Sequence, residues 1–189
     1  MTLRRQNLEY LTSIGITLVF AALYGILEYY WIITDRDVPF RYGHEPVFLG
    51  FQLYHIVIML PILFLVGFAP FVDDLIGTSA IVEKRYTVAL GFATTVFAIM
   101  LEDIVWFLCR LLNPLPMDSL AGSWIQASDW TARWNSVVVP RGVIPTWYFI
   151  IAFFAVVVWV AVFRHWSRQT IRNVRARFFS PQSDEKRDE

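Results

Sequence analysis

Residues 87–112 read TVALGFATTVFAIMLEDIVWFLCRLL. The run is long enough to cross a hydrocarbon core of about 30 Å, which takes about 20 apolar residues. It is interrupted by two adjacent acids, Glu102 and Asp103. A charge in hydrocarbon is costly unless it is paired, neutralised or ligated, so an acidic pair inside a span marks a candidate functional site.

Working outward, three more blocks have the same character. Spans are expected over about 11–33, 48–72, 87–112 and 145–163. Of all residues, 57% are apolar and only 17% charged, and the apolar ones are concentrated in these blocks, as soluble domains seldom arrange them. The first block follows Arg4-Arg5 but runs on through Glu28, Tyr29, Tyr30 and Trp31. It reads as a span rather than a cleaved leader, which would end at a small-residue site. The expected fold is an all-α membrane protein with four transmembrane helices in an antiparallel bundle. Residues 1–179 form that one domain, and 180–189 form a disordered tail.

Net charge is zero, which excludes a strongly basic nucleic-acid binder. Cys109 is the only cysteine, so no intrachain disulfide or cysteine-based metal motif is available. Eleven Lys and Arg residues flank one side of the spans, from Arg4, Arg5, Lys84 and Arg85 to the group Arg164–Arg187. Five fall toward the other: Arg36, Arg41, Arg110, Arg133 and Arg141. The positive-inside bias places both termini in the cytoplasm of a cell-membrane protein. Arg164, Arg168, Arg172 and Arg175 recur at helical spacing beside Ile171, Val174 and Phe178. That pattern reads as a basic amphipathic extension of the fourth helix, lying against anionic lipid headgroups.

Small residues mark close helix packing. Ala21, Ala22 and Gly25 lie on the first helix, and Gly91, Thr95 and Ala98 on the third. Such residues let backbones approach where lipid removes the hydrophobic drive to associate. The connection from Asn113 to Ile144 opens with Pro114 and Pro116 and carries Trp124, Trp130 and Trp134. It reads as irregular chain lying among headgroups or capping the bundle.

Glu28, His55, Glu102 and Asp103 each sit inside an expected span. Counting from the outer helix ends at the helical rise puts them about 8, 10 and 14–15 Å deep on three helices. Similar depth supports one shared site in the outer half of the bilayer. Tyr24 and Gln52 lie at helical spacing from Glu28 and His55 and would orient them. Arg110 follows Asp103 by two turns, placed either to bend toward the acids or to snorkel outward.

Three chemistries fit. Carboxylates and imidazole in a bundle core suit a divalent metal: iron, manganese or zinc. The ligands would be Glu28, His55, Glu102 and Asp103, with His44 as a lid ligand from the first outer loop. The protein would then be an integral membrane metalloprotein acting on a lipid-soluble or small apolar substrate. Alternatively the same groups serve a proton- or cation-coupled transporter. In the third, they are a hydrogen-bonded network fixing helix register, in a non-catalytic subunit of a membrane complex. A membrane-protein partner or a second copy of the chain would then use the Trp-rich loop.

One short pattern deserves comparison. Arg36-Asp37-x-x-Phe40-x-x-x-His44, followed by Leu90-Gly91 and the acidic third helix, faintly resembles the C subunit of copper membrane monooxygenases. The resemblance implies a metal-ligand role for His44. Trp31 and Trp106 stand where that family carries histidines, so its copper chemistry does not transfer.

Overall fold

The computed structural model describes residues 3–32, 57, 59–72, 81–115, 120, 122–132 and 135–179. Helix α1 covers Leu3–Leu27 and passes into a π-helical turn at Glu28–Ile32. Helix α2 covers Leu60–Phe68 and ends in a 3₁₀ turn, Ala69–Phe71. Helix α3 is Ile81–Leu112, and α4 is Thr146–Phe179. Between α3 and α4 lie a 3₁₀ turn at Trp130–Ala132 and two strands, β1 Ser136–Val139 and β2 Gly142–Pro145.

This corrects the expectation of a four-span all-α bundle. Among the described residues only three helices are long and apolar enough to cross a membrane, with spans at Tyr10–Tyr30, Lys84–Leu112 and Thr146–Gln169. The block at 48–72 yields the nine-residue α2, about 14 Å at the helical rise and so too short to span alone. Residues 48–56 lie outside the described residues. The connection before α4 is not wholly irregular either. The β-branched run Val137–Val139 pairs antiparallel with β2, in register Ser136↔Pro145 and Val139↔Gly142, leaving Pro140-Arg141 as the turn. β-branched side chains fit a pleated ribbon, and Arg141 takes the positive φ of 148° that the turn imposes.

The apolar surface identifies the solvent. Leu8, Leu11, Ile16, Val19 and Leu23 on α1, and Phe149, Ile150, Phe153, Val157 and Val160 on α4, all face outward. Continuous apolar faces of this extent belong in lipid rather than water. The chain is a multi-pass helical membrane protein.

Helix α3 is the centre, packing against α1, α2 and α4. Small residues permit this. A Cβ on Gly25 would collide with the Glu102 carbonyl oxygen, and one on Gly67 would overlap the Thr95 hydroxyl. Ala21 and Ala98 are fully buried together with Met59 and Leu63. The small-residue faces of α1 and α3 are therefore used for packing within the chain. Side-chain hydroxyls add bonds between helices: Trp159 Nε1 donates to Thr94 Oγ1 at 3.2 Å, and Thr17 Oγ1 to the Val66 carbonyl at 3.3 Å.

Two clusters close the ends. Tyr10, Ile14, Phe71, Leu90, Val162 and Trp166 pack toward the starts of α1 and α3, against the 3₁₀ turn after α2 and the middle of α4. Tyr10 stacks on Trp166 with ring centroids 4.5 Å apart. At the opposite end Met100, Phe107, Ile125, Ala132, Val143 and Tyr148 join α3 and α4 to the loop and hairpin.

Candidate functional site

Gly25 seats α1 on the Glu102 backbone, and one turn later α1 presents Glu28. Glu28 and Glu102 are each only 4% exposed, and their carboxyl groups lie within hydrogen-bonding reach of each other. Glu28 opens the π-helical turn, a widening of the helix that is found often at functional positions. Tyr24, one turn back, lies within electrostatic reach of both carboxyls, beside them as its spacing suggests.

Asp103, adjacent on α3, faces different partners. Its Oδ2 accepts from the Tyr148 hydroxyl at 2.5 Å and from Thr131 Oγ1 at 2.8 Å. Tyr148 comes from the first turn of α4 and Thr131 from the 3₁₀ turn of the loop. The three acids thus divide into a carboxyl pair, Glu28–Glu102, and a carboxylate held by two hydroxyls.

Arg110 neither approaches the acids nor snorkels outward. It is 2% exposed and makes a two-pronged bond to Asp129, Nη1 to Oδ1 at 3.0 Å and Nη2 to Oδ2 at 2.7 Å. It also donates to the Ser123 and Trp124 carbonyls, at 3.2 and 2.7 Å, and lies over the Phe107 and Trp106 rings. The Gln126 amide donates to Asp129 Oδ2 at 2.7 Å. This latch fixes the loop over α3, and Thr131, two residues beyond Asp129, descends onto Asp103. Trp147 Nε1 holds the Thr131 carbonyl at 3.0 Å. The described part of the Trp-rich connection is a cap on the bundle.

The C-terminal end of α1 is tied down as well. Tyr29 OH accepts from the Leu115 amide at 3.0 Å, and Tyr30 OH from Asn113 Nδ2 at 2.7 Å. Tyr29 also meets Trp106 edge to face at 5.3 Å. The α1–α3 seam is therefore held beside the carboxyl pair by the Gly25–Glu102 approach on one side and these tyrosines on the other.

Of the expected site residues, Glu28, Glu102 and Asp103 come together. His55, His44 and Gln52 lie outside the described residues. Among the described residues no group of three His, Cys, Asp or Glu side chains is arranged to hold a metal ion. Tyr148, Thr131 and Asp129 were not foreseen. Tyr148 looks like any interfacial aromatic next to Trp147, and α4 has no acid in its span, its one histidine, His165, lying at the far end. Asp129, between Trp124 and Trp130, was the one available signal for the latch.

Compared with protein-family models, with curated proteins and with solved structures, the chain shows no significant match. The site must be interpreted from its own chemistry. Fold and surface define the class: a multi-pass membrane protein of helical architecture with a carboxyl cluster buried between its helices.

Proposed function

We propose that this membrane protein binds and releases a proton at the Glu28–Glu102 pair and couples that exchange to transport across the membrane. The observation that carries this reading is the burial of two carboxyl groups, from separate helices, within hydrogen-bonding reach of each other. Carboxylates only accept hydrogen bonds, so a bond between the two would require a proton on one of them. Two ionised carboxylates in a low-dielectric interior repel strongly, and a shared proton removes that repulsion. The nearest buried cation on α3, Arg110, is already committed to Asp129. Asp103 remains an acceptor for hydroxyls. Its bonds to Thr131 and Tyr148 connect the acidic cluster to the cap, which the Lys/Arg bias puts on the outer side.

The test is proton flux. Purified protein reconstituted with an interior pH dye should carry protons down an imposed gradient. Glu28→Gln and Glu102→Gln should each abolish the flux while the protein remains folded. Flux at wild-type level in both variants sinks the proposal.

A second reading has one observation in its favour: two carboxylates from separate helices side by side. That arrangement also recruits a divalent iron, manganese or zinc ion, with an integral membrane metalloprotein as the result; His55, the further ligand expected from the sequence, lies outside the described residues. Metal analysis separates the two. Stoichiometric metal in wild type, lost in Glu102→Ala, would replace the proton reading with this one.

A further inference from the structure

The membrane face opposite the cap carries a second feature. Tyr86, near the start of α3, and Ala161, Arg164, His165 and Arg168 of α4 line an open cleft of about 330 Å³. Residues 161, 164, 165 and 168 recur every three to four positions, so they share one face of α4. Ala161 keeps that face low and leaves room beneath the two guanidinium groups. The His165 ring stacks on Tyr86, centroids 4.0 Å apart, making the cleft wall. Its Nε2 is shut off from solvent and has no hydrogen-bond partner. Arg164 and Arg168 are both exposed, and among the described residues no ion pair or hydrogen bond engages either guanidinium.

Depth decides what reaches this cleft. Lys84 and Gln169 mark the ends of the α3 and α4 spans, so Arg164, Arg168 and Tyr86 all lie within about a turn and a half of the membrane surface. That is the level of lipid phosphates. An arginine fork matches phosphate oxygens in pairs, and arginines at this depth meet anionic headgroups by position. We propose that the cleft between Tyr86 and the Ala161–Arg168 face of α4 is a binding site for the phosphate of an anionic glycerophospholipid. Arg164 and Arg168 clamp the phosphate, the Tyr86–His165 stack forms the wall, and the acyl chains run down the apolar outer face of α4 past Val157 and Val160. This site is independent of the carboxyl cluster.

Detergent-purified protein can be tested by native mass spectrometry and thermal stabilisation against phosphatidylglycerol, phosphatidylcholine and inorganic phosphate. Wild type should retain and be stabilised by phosphatidylglycerol, and phosphatidylcholine in excess should not displace it. Arg164→Gln/Arg168→Gln should bind phosphatidylglycerol at least about tenfold more weakly, as expected for losing two interfacial arginines. Arg172→Gln, one turn beyond the cleft on the same helix, should bind as wild type does. Equal binding of the two lipids by wild type would overturn the proposal without recourse to any variant. So would an equal loss in Arg172→Gln, which would indicate diffuse attraction to the helix. Stabilisation by inorganic phosphate matching that by phosphatidylglycerol would assign the cleft to free phosphate and overturn the lipid assignment.

Discussion

Asp103 shows how one side chain organises the site. It is buried at the junction of α3, α4 and the loop, and two hydroxyls donate to a single oxygen. A hydrogen bond is worth about 0.5–1.5 kcal/mol, and about 1.5–3 kcal/mol to a charged group, while leaving a buried acceptor unsatisfied costs about 1–3 kcal/mol. Tyr148→Phe deletes one donor and almost no volume. It should destabilise the protein by about 1–3 kcal/mol, measured by denaturation in mixed micelles. Thr131→Val should cost less by itself, because Tyr148 still satisfies the same oxygen. Combined with Tyr148→Phe it should cost more than the sum of the two, since the double variant leaves Oδ2 with neither donor. Additive losses would mean the two hydroxyls act independently. Of this cluster the acids were legible in the sequence, because a charge inside an apolar run stands out. Their partners were not. Tyr148 and Thr131 reach Asp103 across 45 and 28 residues, and helical spacing records only neighbours on one helix.

The elements position these residues through two devices. The first is the contact of Gly25 with the Glu102 carbonyl. Gly25→Ala forces α1 away from α3, and over-packing of this kind costs about 1–3 kcal/mol. It should also part Glu28 from Glu102, so proton flux should fall together with stability. Gly15, whose surroundings on α1 are open, should accept alanine with neither effect. The small-residue spacing of Ala21 and Gly25 announced a close approach; which helix would receive it was not in the spacing. The second device is the Arg110–Asp129 latch. Arg110→Met leaves Asp129, only 13% exposed, without its cation, and breaking one side of a buried pair typically costs about 3–5 kcal/mol. Limited proteolysis should then cut the segment around residues 122–145, which wild type should protect. The hairpin within that segment escaped the sequence reading. Its valines continue the apolar tone of the flanking spans, and Pro140-Arg141 is not one of the glycine-rich pairs that mark a tight hairpin.

At the scale of the whole molecule, hydropathy located the three long spans well, because length and apolarity are what the bilayer selects. The same measure overstated the block at 48–72, where apolar residues continue beyond the nine that form α2. Hydropathy reports what lipid will accept, and a helix of nine residues, as α2 is among the described residues, satisfies it as well as a span does. The resulting protein has α3 at its centre, lipid-facing α1 and α4, and acids sealed between them by a latched cap. Its central claim is that Glu28 and Glu102 share a proton. Infrared difference spectroscopy of the reconstituted protein measures this most directly through the carbonyl stretch of a protonated carboxyl group. The account predicts that band in wild type at neutral pH, shifted by hydrogen-to-deuterium exchange and absent from the Glu28→Gln/Glu102→Gln double variant. A wild-type spectrum without the band, or one that the double variant reproduces, would contradict it.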